Sequence, residues 1–418
     1  MGFVRSAVCQ QAAETVSEIV VFKKPFFVGC ECLSMRGNDE TNGRLWYSMD
    51  LEDLIERDHP LRAIKRMVDD ALRGMDGDFR NAYSDRGRPS VAPERLLKAL
   101  LLQTLYTIRS ERELCRRLKT DMLFRWFLDM TPDEDVFVPT VFTKNRERLA
   151  EHGLTQRFFA GVVQQAIAAG LASDEHFAVD GSLIQSHASL KSLKRIAREG
   201  DEGGDDDGDK PSPSDGPHRK SRNESVDFRG ERRGNTTHRS ATDPEARLSR
   251  KGNNVGAFLS HTMHALTENR NGLVLAVDVA EANGRAEREC ALRMVRSVRS
   301  NHKVSVTTLA ADMGYDSGDF LVALEMENVR PHIAVRSGVI RAQDEGGDAR
   351  RRARARRQNR GYQVSQRGRK IVEEFFGWSK TIAGLRRLKH VGRWKIKQQV
   401  ELTAAAYNLV RMRRLMAA

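Results

Sequence analysis

The sequence predicts an α/β protein in which a mixed-sheet domain is preceded by an all-helical one, and three observations predict it. From Asp50 to Gly170 apolar residues recur at helical spacing almost without interruption. From His176 onward, runs of strand length rich in β-branched and apolar residues alternate with helical ones. Near the C-terminus, Gln366 to Arg387 sorts into two opposed faces when read as one helix. Ile371, Phe375, Trp378, Ile382 and Leu385 form an apolar stripe at i, i+4, i+7, i+11 and i+14. Arg369, Glu373, Lys380 and Arg387 lie opposite, within roughly 60° of each other at about 100° per residue. One carboxylate among three cations reads either as a solvated face or as part of a site.

Composition bounds what the chain can be. At 418 residues it is long enough for two domains. A net charge of +13 and a pI near 9.7 imply an anionic partner, most simply nucleic acid. A membrane protein is excluded as the first reading because no apolar run is long enough to span a bilayer. Five scattered cysteines form neither a disulfide framework nor a four-ligand zinc pattern, which fits a reducing cytoplasm.

Taken in order, residues 1–34 are irregular and read as an N-terminal extension. Residues 35–170 form the expected helical, DNA-binding domain. Leu51 to Glu56, Pro60 to Arg73 and Pro93 to Ile108 carry helical spacing, and Pro93 sits where a first-turn proline is tolerated. Ser110 and Glu113 match a capping box ahead of the next helix. Arg109, Arg112, Arg116, Arg117 and Lys119 cluster at tight turns between helices. They fit a helix-turn-helix reader, or equally a packing module with solvated arginines.

Residues 171–418 form the expected sheet domain, opening at HFAVDGSLIQSHAS. Phe177, Val179, Leu183 and Ile184 flank an Asp-Gly step, so Asp180 is expected at or near a strand, as a ligand or as a turn residue. Between 190 and 256 the periodicity is lost. The run from Glu199 to Pro217 predicts a disordered acidic loop, and its basic sequel reads as an insertion within the domain. Phe258 to Leu266 and Leu273 to Val279 flank Asn271-Gly272, a strong hairpin signal. A helix from Ala286, a strand from Val304 ending at Asp312, a helix from Ser317 and a strand at His332 to Val335 follow. Arg350 to Arg360 carries seven arginines and reads as a flexible, phosphate-tracking arm, or as a solvated loop. A last helix, Gln399 to Leu415, presents an Ala-rich face for packing.

This order of strand, hairpin, helix, strand, helix, strand and late helix is that of a ribonuclease-H-like domain, with Asp180, Asp312 and Glu373 on three of its elements. Three such carboxylates suit the holding of two divalent cations about 4 Å apart at a phosphodiester.

DGSLIQSHASLKS, ADMGYDS, RKIVEEFFGWSKTIAGLR and LTAAAYNLVR resemble the DDE transposases of bacterial insertion sequences, in the insertion-sequence-five family of the wider insertion-sequence-four group. The resemblance implies an enzyme that binds the terminal inverted repeats of its element, cuts its ends and joins the 3'-hydroxyls to target DNA. It implies Asp180, Asp312 and Glu373 as catalytic and metal-binding acids with two Mg2+ or Mn2+ ions. Partners are double-stranded DNA and a second copy in a homodimer, in the nucleoid of a bacterial cytoplasm. The group's signature around the last acid maps onto Arg369, Glu373 and Lys380, with Gln366 where tyrosine is expected. Arg369, Lys380 and Arg387, with Arg350, Arg351, Arg352, Arg109 and Arg112, are the expected DNA contacts. Glu374 is the alternative third acid, and Met313 departs from the basic residue common after the second. These departures leave room for a decayed or domesticated copy that binds DNA without cutting it.

Overall fold

The computed structural model describes residues 50–83, 90–196, 227–228, 231–250, 256–284, 286–335 and 346–417, with residues 338, 340 and 344. The expected extension 1–34 and the acidic run 199–217 lie outside them. The chain opens with helices α1 (Leu51–Leu54), α2 (Pro60–Arg73), α3 (Asp76–Ala82), α4 (Pro93–Leu105), α5 (Glu111–Thr120), α6 (Met122–Phe127), α7 (Thr140–Glu151) and α8 (Leu154–Ala168). Their starts follow local chemistry. Pro60 and Pro93 open α2 and α4, where a missing N–H leaves nothing unpaired. Ser110 Oγ accepts from the Glu113 amide at 3.1 Å and caps α5. In α2, Leu61, Ile64, Met67, Val68, Ala71 and Leu72 bury the stripe that the helical spacing dictates.

The remaining elements are β1 (His176–Gln185), β2 (Leu193–Arg195), β3 (Asp227–Phe228), β4 (Glu231–Arg232), β5 (His238–Ser240), β6 (Arg247–Ser249), β7 (Phe258–Glu268), β8 (Val274–Glu281), α9 (Ala286–His302), β9 (Thr308–Ala311), α10 (Gly318–Met326), β10 (Arg330–Ile333), α11 (Gly347–Arg356), α12 (Arg360–Gly368), α13 (Ile371–Thr381) and α14 (Arg393–Ala417). The main sheet runs β10-β9-β1-β7-β8, and β6 shares the outer edge of β7 with β8. β1, β7 and β8 are antiparallel neighbours, while β9 and β10 are parallel to β1. An antiparallel meander flanked on its first strand by two parallel strands is the ribonuclease-H-like order expected from the sequence.

The β7–β8 hairpin turns at Gly272, whose φ is +67°. Its tip is held by Glu268, a fully buried carboxylate that accepts from the amides of Arg270 (2.9 Å), Asn271 (2.8 Å) and Leu273 (3.0 Å). A Cβ at Gly272 would stand 2.7 Å from Ile371, so the turn rests directly on the first residue of α13.

Helix α14 ties the molecule together. It packs on α8, β8, α4, α2, α7 and α13, and Ala404, Ala405 and Ala406 are all fully buried. Small side chains allow this close approach, as the Ala-rich sequence implied. Asn408 closes the edge of β8 by donating to the Val274 carbonyl (2.7 Å) and accepting from its amide (2.9 Å). Because α14 lies against both, helices α2 to α8 and the sheet share one core, and residues 50–418 form one compact unit. The sequence boundary at residue 170 is therefore not a break in packing.

Thr155 Oγ1 donates to the buried Glu401 carboxylate at 2.6 Å. Burial raises that carboxyl above its ordinary 4.5 despite this bond. A raised carboxyl stabilises the fold fully below the unfolded value, and that contribution is lost as pH rises through the folded one. Glu401→Gln is accordingly expected to melt higher than wild type at pH 8 and to converge with it near pH 4, as thermal scans across pH would read.

Within the expected insertion, residues 190–196 and 231–250 are built into the fold. β2 pairs with β5, and β6 adds to the main sheet. Asp243 is fully buried and accepts from Ser186 Oγ (2.6 Å) and His261 Nε2 (2.9 Å), pinning this segment beside the end of β1. Alternation was too short there to be legible, because each strand is three residues long.

Candidate active site

Asp180 lies in the middle of β1, and the strand runs straight through the Asp-Gly step. Glycine is needed after it because a Cβ at position 181 would stand 3.0 Å from Nδ1 of His264, its partner residue on β7. His264 is buried, and burial pushes its imidazole down to about 4, so the ring behind the site is neutral at physiological pH.

The parallel register places the second acid. His176, Phe177 and Ala178 pair with Thr308, Leu309 and Ala310, so Asp180 and Asp312 occupy the same level on adjacent strands, just past the end of β9. Strand neighbours stand about 4.8 Å apart. Asp312 keeps an extended backbone and accepts from the Gly314 amide at 2.8 Å, capping a 3-10 turn over Met313–Tyr315.

The third acid arrives from the last quarter of the chain. Gln366 on α12 donates to the carbonyls of Ala311 (3.2 Å) and His332, at the ends of β9 and β10. It therefore serves as a clamp over the strand ends, facing the protein rather than DNA. The chain then tightens through i−3 bonds (Lys370 to Arg367, Val372 to Arg369) before α13 begins, so the single helix expected over 366–387 is broken. Glu373 follows in the first turn of α13, exposed. At the far end of α13, Lys380 Nζ donates to Ser182 Oγ at 2.6 Å, two residues beyond Asp180 on the same strand face.

Electrostatics bind these groups together. Burial pushes the Asp180 carboxyl up to about 6; the Gly181 amide opposes this, Asp312 and Glu373 add to it, and Arg369 offsets it. Arg369 Nη1 stands 3.8 Å from Asp180. Glu374, the alternative third acid, turns away and pairs with Arg411 of α14 at 2.7 Å. Glu287, in the first turn of α9, was not singled out by the sequence. It is half-buried, and its carboxyl is raised by burial and then by Asp312 and Asp180.

The donor set is carboxylate oxygen, which suits a hard divalent cation, and the mutual repulsion of these acids is what such an ion relieves. Among the described residues, no three His, Cys, Asp or Glu side chains yet stand close enough to share an ion.

The expected DNA contacts divide. Arg109 and Arg387 line one cleft of about 970 Å³ between α4, α5 and the segment joining α13 to α14, with Arg146, Lys389 and Lys395. Arg387 lies beyond α13, bridged to Gln185 at the end of β1. Arg112 is exposed on α5. The arginine run at 350–360 is corrected from a flexible arm to a docked helix, α11, because its charges have partners. Arg350 grips the buried Asp316 at 3.0 and 3.1 Å, Arg351 pairs with Asp348, and Arg352 pairs with Glu325 at 2.5 Å. Arg350→Met is expected to destabilise the chain by about 2–3 kcal/mol in urea denaturation, since it strands a buried carboxylate and only part of the cation's value is screened by solvent.

Two family models match the chain. Residues 49–148 match one described as a transposase domain, and residues 225–409 match one described as a transposase DDE domain. No curated protein matches by sequence. Among solved structures, the Mos1 transposase paired-end complex with left transposon end is 11% identical over 80% of this chain and 90% of that one, with a TM-score of 0.18. The Mos1 mariner paired end complex with Mn is 12% identical over 82% and 92%, also at 0.18. Scores this low carry no argument, and the fold stands on its strand order.

Proposed function

We propose that this chain, a DDE-type transposase of insertion-sequence kind, binds the terminal inverted repeats of its own element, cleaves phosphodiesters at the ends and transfers the 3'-hydroxyls to target DNA. The observation that carries the reading is the alignment of Asp180 with Asp312 on parallel neighbours, beside which α12 and α13 deliver Glu373. The matched DDE domain spans the second and third of these acids. We place the chain in the insertion-sequence-five family on its motifs, working as a homodimer in the bacterial nucleoid, with residues 35–170 contributing DNA contacts.

Asp180, Asp312 and Glu373 would hold two Mg2+ or Mn2+ ions. Bound there, the cations activate the attacking oxygen and offset charge on the leaving one. The chain's own residues do the rest. Gln366 fixes the strand end that precedes Asp312, and Gly181 keeps β1 flush against β7 so that Asp180 holds its level. Arg369 serves as counter-charge to Asp180 before DNA arrives and as a phosphate contact afterwards. Lys380, anchored at Ser182, sets a cation about 10 Å along α13 from Glu373 at 1.5 Å per residue, roughly two nucleotides away. Arg109, Arg112 and Arg387 extend the basic track.

The test is cleavage and strand transfer on linear DNA carrying the element's terminal repeats, with Mg2+ and with chelator. Metal-dependent nicks at the repeat ends and joined products are the expected result. Binding to the repeats without any cutting would point to the decayed DNA-binding protein, and cutting without joining to a nuclease.

A further inference from the structure

The geometry points to Glu287 as a fourth oxygen donor of the acidic site, contributed by the first turn of α9 to the same divalent cation set as Asp180 and Asp312. This inference rests on the metal-dependent reading above. Helix α9 is fixed against the Asp312 turn: Asn283 Oδ1 accepts from the Ala286 amide at 2.9 Å, and Arg288 donates to the Gly314 carbonyl at 3.2 Å. Glu287 sits between these two anchors. It is half-buried, yet among the described residues no hydrogen bond or ion pair reaches its carboxylate. A partly buried acid without a partner is costly, and a structural role would have provided one.

Tyr315 supplies an independent observation. Its ring is 1% exposed, and its hydroxyl is buried without a hydrogen-bond partner. That hydroxyl feels the charges of Glu287, Asp180 and Asp312, so it faces into the space they surround. A buried hydroxyl is seldom left unpaired. Water from a cation's shell, or a carboxylate drawn inward by the cation, would complete it. Glu289, two residues on, is exposed and turns to Arg293 and Cys290, so it serves as a built-in control.

The experiment is Mn2+ titration of the full chain without DNA, by calorimetry and by the spin signal of free Mn2+, with thermal melting in the absence and presence of Mn2+. Wild type is expected to take up Mn2+, and Asp180→Asn to lose it. Glu287→Gln is expected to weaken uptake by on the order of 10–100-fold, and Glu289→Gln to match wild type. Metal-free Glu287→Gln is expected to melt no lower than wild type, because it relieves like-charge repulsion, while its Mn2+-induced rise in Tm shrinks. Glu287→Asp, which keeps the charge, is expected to recover part of the affinity.

Wild-type Mn2+ affinity in Glu287→Gln would overturn the inference while leaving the transposase reading intact. Lowered metal-free melting in Glu287→Gln, without recovery in Glu287→Asp, would overturn it in favour of a structural role. A wild-type chain that takes up no Mn2+ would sink the metal-dependent reading and this inference together.

Discussion

Glu373→Ala is expected to abolish metal-dependent cleavage and strand transfer while leaving repeat binding within a few-fold of wild type. An acid that holds a catalytic cation contributes several kcal/mol of transition-state stabilisation. At about 1.4 kcal/mol per tenfold, that is a loss on the order of 10³-fold or more in single-turnover rate. Glu374→Ala is the matched comparison. Its side chain is exposed and paired with Arg411, so its removal is expected to change the rate by no more than about threefold, the scale of a surface ion pair. Equal losses in the two variants would contradict the assignment of Glu373. Gel-shift affinity and rate, measured on the same DNA, separate binding from chemistry.

Glu268→Ala is expected to be the most destabilising single change at a position remote from the acids. It would leave the amides of Arg270, Asn271 and Leu273 without their acceptor at the buried tip of the β7–β8 hairpin. At about 1–3 kcal/mol for each unsatisfied buried group, partly recovered by water, the expected loss is about 3–5 kcal/mol in urea denaturation. Because Gly272 of that hairpin packs on Ile371, which opens α13, the variant is also expected to lose catalytic rate through a displaced Glu373. Stability lost with rate fully retained would show that the hairpin does not position α13.

Much of the site was legible because its signals are local. Asp180 in a strand, the Asn271-Gly272 turn and the Ser110 cap each depend on residues within a few positions, and all appear where the pattern placed them. Glu287 was not legible, since one glutamate in a charged helix start carries no local mark, and only its docking against the Asp312 turn sets it apart. Arg350 was misread for the converse reason. A dense basic run looks solvated until Asp316 and Glu325, two dozen or more residues upstream in the chain, are seen to neutralise it.

The division follows from the range of the forces. The sequence by itself determined the elements, their order and three acids on the right three of them, because backbone periodicity and turn chemistry act over a handful of residues. Only the tertiary structure decided which charges face the site and which are neutralised: the parallel register of β1 and β9, the break between α12 and α13, and the buried fit of α14. Each of those depends on packing between segments far apart in the chain, where burial and charge pairing, not local pattern, set the outcome.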